Sequence, residues 1–112
     1  MSYRVEVTER AKQDTDRILS WLSEHSAKGA ANWFAAWEAA CAFLVENVHA
    51  TSVAPENVDH EEEIRQWPFR TPHGHRYRIL LIIRGKTIFI TNVRGTGQQF
   101  VSKSEFGKPG AR

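Results

Sequence analysis

The residues with the most chemical capability gather in the second half of the chain. Arg76, Arg78 and Arg94 lie in two β-prone runs, His75 heads the first of these, and Arg65, Trp67 and Arg70 belong to a shorter run before it. Guanidinium groups hold phosphate or carboxylate through paired hydrogen bonds, and an imidazole moves protons near neutral pH. Acid–base chemistry on a phosphate ester would draw on both, since it needs a group that takes a proton, cations for the phosphate and an acid for the leaving oxygen. The same arginines on an exposed sheet can instead blunt its surface or dock an anionic partner. Trp67, flanked by Arg65 and Arg70, is the aromatic best suited to an interface. His73-Gly74-His75 brings two imidazoles together, but no further ligand set accompanies them, so no metal or other cofactor is expected. The single Cys41 sits among Ala, Phe and Leu, where packing is its expected role rather than disulfide or nucleophilic chemistry.

The charge is divided along the chain. Residues 1–63 carry five Lys/Arg against twelve Asp/Glu, a net −7, whereas residues 64–112 carry ten Lys/Arg against Glu105 alone, a net +9. The folded surface should therefore have a basic side built by the C-terminal half, unless the two halves neutralise each other within the fold. At 112 residues, 41% hydrophobic and 25% charged, the composition is that of one globular domain. No apolar run approaches the roughly 20 residues of a membrane helix. Met1-Ser2-Tyr3-Arg4 leads straight into a strand-like pattern, so neither a signal peptide nor membrane association is expected, and with one cysteine the reading is a cytoplasmic protein.

Elements to position these groups follow from periodicity. Tyr3, Val5 and Val7 alternate with Arg4 and Glu6 as in a half-buried strand. Thr8 can cap a helix from Glu9 to about Glu24, with Ala11, Ile18, Trp21 and Leu22 at helical spacing. Ser26 can cap a second, from about Ala27 to Asn47, whose stripe includes Ala30, Trp33, Trp37, Ala40 and Leu44; Trp33 and Trp37 are expected in the core. Residues 49–62 read as an acidic, solvated loop containing Pro55, Glu56 and Asn57. Ile64–Trp67 follows as a strand that Pro68 marks as an edge or a bulge. Thr71-Pro72-His73-Gly74 is a turn, and His75–Ile83 with Thr87–Val93 forms a hairpin about Arg84-Gly85-Lys86.

The order β-α-α-β-β-β predicts an α+β domain over residues 1–100, a helical hairpin packed on one face of a small, mainly antiparallel sheet. Residues 101–112, rich in Gly, Lys and Ser, are expected to form a flexible tail. In the hairpin, Tyr77, Ile79, Leu81 and Ile83 point one way, and Arg76, Arg78, Leu80 and Ile82 the other. The helices can cover one face only, so the arginine-bearing face is expected to be a binding groove.

These residues carry a family resemblance. Tyr3–Ala11, followed by Asp14, Ile18 and Trp21, resembles the opening of the RelE/ParE toxins, as do the Ala-rich second helix, Pro55-Glu56-Asn57 and Glu63-Ile64-Arg65-Gln66. The block from His75-Arg76-Tyr77-Arg78-Ile79 to Val93-Arg94-Gly95 is similar to the family's C-terminal hairpin, and the likeness covers about residues 3–97. It implies the toxin of a type II toxin–antitoxin (plasmid stabilisation) pair, with a cognate antitoxin as partner, and either a homodimer or a toxin–antitoxin hetero-oligomer. RelE-like members cut messenger RNA on the ribosome without metal; ParE-like members are associated with inhibition of DNA gyrase. By resemblance Arg78 matches a phosphate-binding arginine of the RelE-like enzymes. The position of their second catalytic arginine falls on Thr96, and Phe100 is the nearest residue to the expected tyrosine. Arg78, Arg94 and His75 are then the candidates for cleavage. Arg65, Trp67, Arg70, Arg76, Arg78 and Arg94 are those for binding target or antitoxin. The departures near 96–100 and the long helical hairpin lean toward the ParE-like branch. A relic surviving as a binding module is the remaining reading.

Overall fold

The computed structural model describes residues 3–72, 74–95, 98 and 100–109. Strand β1 (Arg4–Val7) leads through Thr8 into α1 (Glu9–His25), and α2 (Ala27–Asn47) follows after a single residue. Both helices start on the residues expected to cap them. The Thr8 hydroxyl accepts from the Ala11 N–H, and the Ser26 hydroxyl accepts from the Gly29 N–H while the Ser26 N–H closes the end of α1. One residue thus ends one helix and begins the next, which forces the antiparallel hairpin. Among the described residues no helix is long and apolar enough to cross a membrane.

Four more strands complete the sheet: β2 (Ser52–Val53), β3 (Arg65–Arg70), β4 (Arg76–Arg84) and β5 (Thr87–Gly95), in the order β1-β5-β4-β3-β2. Only β1 and β5 run parallel. The helical hairpin carries the chain from β1 at one edge of the sheet to β2 at the other, and both helices pack on one face. The two-residue β2, which the periodicity does not reveal, covers β3 only at Arg65 and Gln66. Pro68 therefore lies where β3 is the sheet's edge, as its missing N–H requires. Gly85, at φ 60°, closes the β4–β5 hairpin in the left-handed region.

Under the helices lies the main core: Ala11, Trp33, Trp37, Ala40, Leu44 and Val48 against Ile79, Leu81, Ile88, Ile90 and Val93. Trp33 is buried as expected, its ring parallel to Trp37 and edge-on to Tyr77. The spacing Ile90 to Val93 breaks strict alternation, and the structure shows how. Leu80 pairs with Asn92 and Leu81 with Ile90, leaving Thr91 as an extra residue in β5. This bulge keeps Val93 beneath the helices and turns Asn92 and Arg94 to the opposite face. Asp14, buried in α1, accepts from the Val93 N–H just beyond the bulge at 2.9 Å, so helix and strand are locked at that point.

The second face departs from expectation at the acidic loop and carries part of the C-terminal segment as a strap: Val101 and Phe106 are buried with Ala54, Ile64, Leu80 and Ile82 in a second, smaller apolar cluster. The strands leave Leu80 and Ile82 uncovered by the two long helices, and two apolar side chains five positions apart on a short segment cap them. The acidic loop is not wholly solvated. It turns through a 3-10 helix at Pro55–Asp59, where Glu56 is buried and Asn57 Oδ1 accepts from the Ile64 N–H.

Candidate functional site: an arginine cleft on the second face

Strand register decides which of the predicted residues meet. Cross-strand partners share a face, so Arg70 opposite Arg76, and Pro68 opposite Arg78 opposite Arg94, place four arginines on the face away from the helices. Arg76, Arg78 and Arg94 line a cleft of about 370 Å³ with Gln66, Gln98 and Phe100. The exposed Phe100 ring lies 5.6 Å from the Arg78 guanidinium, in cation–π contact.

Arg65 and Trp67 are not part of this cleft. Their partners across the ladder are Leu81 and Ile79, which belong to the helix side. Arg65 clamps the chain after α2: its guanidinium donates to the Thr51 hydroxyl and carbonyl and pairs with Glu63. Trp67 stacks on Phe43 of α2 at 4.7 Å, which spends one of its ring faces on packing. His75 is also separated from the arginines. It lines a larger cleft of about 590 Å³ between the helices and the β3–β4 connection, with Leu22, Trp33, Ala36, Pro72 and Tyr77. Sequence reasoning thus gathers into one set residues that the pleat divides between two faces. His73 and Thr96 lie outside the described residues.

The cleft's electrostatics are set from within. Both nitrogens of the Arg78 fork donate to Glu56, at 2.9 and 2.5 Å, and Gln66 accepts a further bond at 3.1 Å. Glu56 also accepts the Val101 N–H at 3.0 Å. Burial alone would raise the Glu56 carboxyl, but the bonds from Arg78 and Val101 outweigh it and hold the group below its ordinary range. Arg94 donates to Glu105 at 2.9 Å. Glu105 in turn caps the short Lys103–Glu105 helix by accepting the Ser102 N–H and hydroxyl. Those bonds and Arg94 push its carboxyl down to about 2. Glu56 and Glu105 are the charged partners of the cleft arginines that reading the sequence missed. The signal for Glu105 was available, as the lone acid in a stretch of ten cations. Glu56 was masked by the acids around it.

Chemically, the cleft can hold an anion. Among the described residues that line it there is no imidazole and no carboxylate to take a proton from a hydroxyl. No cluster of three His, Cys, Asp or Glu able to hold a metal occurs among the described residues. Cys41 is half-buried on α2, and burial reinforced by the Glu38 carboxylate pushes its thiol up to about 12, which removes thiolate chemistry at neutral pH.

Comparison with curated proteins and with solved structures gives no significant match. A family model does match, described as the ParE toxin of type II toxin–antitoxin systems (parDE), and it spans residues 5–100. The match runs from β1 through Phe100 and takes in the helical hairpin, the bulged strand and all four arginines of the second face, and so this chain belongs to the ParE toxin family of type II toxin–antitoxin systems.

Proposed function

We propose that this toxin acts by binding rather than by cleavage: it arrests growth by docking its arginine face on a macromolecular target, DNA gyrase, and a cognate antitoxin neutralises it. The observation that carries this reading is the state of the two arginines that a nuclease would use. Arg78 and Arg94 are each held by an internal carboxylate, and His75 lines the cleft on the helix side. A RelE-like ribosome-dependent cleavage of messenger RNA would need both arginines turned to phosphate with a proton acceptor beside them. Arg70 and Arg76 are exposed on the same face and offer the docking charge.

Inducible expression in a bacterial host tests the reading, with messenger RNA integrity and DNA supercoiling followed as growth slows. Intact messages with disturbed supercoiling are expected; fragmented messages with normal supercoiling would make the chain a ribonuclease, and unaffected growth would make it a relic. The docking face is tested by Arg70→Ala with Arg76→Ala, expected to reduce growth arrest at least tenfold in the inducer titration while thermal stability stays within about 0.5 kcal/mol, as for surface changes. Full arrest by this double variant would remove the arginine face from the function. Substituting Arg78 would not serve, because it strands the buried Glu56 carboxylate and confuses folding with docking.

A further inference from the structure

The strap over the second face is held by contacts that read a pattern rather than by bulk. Val101 and Phe106 fill the apolar slot formed by Ala54, Ile64, Leu80 and Ile82. Between them the strap presents one carboxylate, Glu105, to Arg94 at 2.9 Å and to Arg10 at 3.9 Å. Its backbone is read as well. The amide of the fully buried Asn92 donates to the Glu105 carbonyl at 3.0 Å and accepts the Gly107 N–H at 3.2 Å, and Glu56 accepts the Val101 N–H. At Gly107 the fit admits no side chain, since a Cβ there would lie 2.1 Å from the Thr91 carbonyl oxygen and 2.6 Å from the Thr8 hydroxyl. The body of the protein therefore offers an ordered series: a backbone acceptor, an apolar slot, a cation, an amide fork and a glycine-sized gap. The binding side is borne by the sheet and α1, while the strap contributes two apolar side chains that must offset the ordering of seven residues.

We infer that this face is an exchangeable groove, in which a partner protein's acidic, apolar-flanked segment of the pattern hydrophobe, three residues, Glu, hydrophobe, Gly takes the place of the strap. Charge selects the occupant. When the strap lifts, Glu105 leaves Arg94 and Arg10 behind, and Lys103 and Lys108 depart with it, so the incoming segment must bring a carboxylate at the same place and gains by lacking the lysines. Segment addition of this kind, with backbone bonds for affinity and pockets for specificity, is a general mode of peptide recognition. The inference goes beyond the toxin reading and stands without it.

The test uses the full chain and a fluorescein-labelled synthetic peptide of residues 99–109, followed by fluorescence anisotropy. In the wild type the tethered strap competes at an effective concentration of about 1 mM, so the peptide binds weakly. Gly107→Ala in the protein forces the strap off its seat and alters no other groove residue. It is expected to strengthen peptide binding at least tenfold, and a peptide carrying Glu105→Gln or Phe106→Ala should lose at least tenfold on that variant. Absence of saturable binding to a Gly107→Ala protein with native circular dichroism would overturn the proposal. So would equal binding to the wild type, to Gly107→Ala and to Gly107→Ala with Arg94→Ala. Dimerisation of Gly107→Ala without peptide would do so too, since the groove would then be filled by a second copy's strap. If Gly107→Ala does not fold, Phe106→Ala in the full chain unseats the strap with the groove intact, and the same outcomes apply. These results are independent of growth arrest, so the docking groove and the toxin reading fail separately.

Discussion

The two faces of one sheet are finished in different ways. On the helix face, α1 and α2 lay Trp33, Trp37, Ala40 and Leu44 over Ile79, Leu81, Ile88, Ile90 and Val93, and the contact is almost wholly apolar. On the other face a smaller apolar cluster is bordered by ion pairs and by the buried amide of Asn92. Apolar burial is non-directional and additive, so the helix face should set global stability. Directed polar contacts cost much when half-broken and contribute little when whole, so they fix one arrangement and let it be exchanged. The same strands therefore present a permanent surface and a negotiable one.

The sharpest way to break that comparison is Trp33→Ala. Removal of a fully buried aromatic between Trp37, Phe69 and Tyr77 should cost about 3–5 kcal/mol and lower the whole denaturant transition. A loss of less than about 1 kcal/mol would deny the helix face its dominance. Next comes Arg78→Ala, which leaves Glu56 buried without its cation and should cost about 2 kcal/mol. Glu56→Gln with Arg78→Met, which removes both charges, should recover most of that loss in chemical denaturation; failure to recover would mean that the pair contributes more than mutual neutralisation.

Phe106→Ala sharpens the contrast further. A core Phe→Ala usually costs several kcal/mol, but here the strap can lift instead of leaving a cavity, so the loss is capped at the strap's own docking energy, about 1–2 kcal/mol. Native-state hydrogen exchange should then show the Val101 and Gly107 amides released while those of β4 and β5 stay protected. Equal deprotection throughout would mean that the strap and the sheet unfold as one unit. The smallest effect expected is on pH. The Glu105 carboxyl lies at about 2 when folded against an ordinary 4.5, so its contribution is complete above about 4.5 and is lost as pH falls toward 2. Between those values the strap amides should gain exchange in the wild type and not in Glu105→Gln; identical acid profiles would exclude Glu105 as the latch.

Much of the fold was legible because its signals are local. Thr8 and Ser26 announce both helix starts, the stripe from Ala30 to Leu44 announces which side of α2 faces inward, and Gly85 announces the hairpin. Pro68 correctly marked an edge. The site was less legible because its membership depends on register. Arg65 and Trp67 sit close in sequence to Arg70, but the pleat sends them to the opposite face. The strap was hidden by composition: its Ser, Lys and Gly residues read as tail, and its two anchors, Val101 and Phe106, lack any periodicity. Glu56 could be distinguished from its acidic neighbours only by a partner 22 residues away. The bulge did leave a trace, in the three-residue step from Ile90 to Val93.

That step makes Thr91 a half-turn phase shifter within β5. Pairing the strand straight through Thr91, with no residue left over, would exchange inside for outside in everything downstream: Val93 would move to the second face beside Arg78, and Arg94 would be driven under α1 toward Asp14. Substitutions along the strand alter single contacts, whereas a shift in its pairing rewrites which surface each later residue belongs to. The arginine cleft and the strap groove are thus encoded as much by the place where β5 leaves a residue out of its ladder as by the kinds of residue it carries.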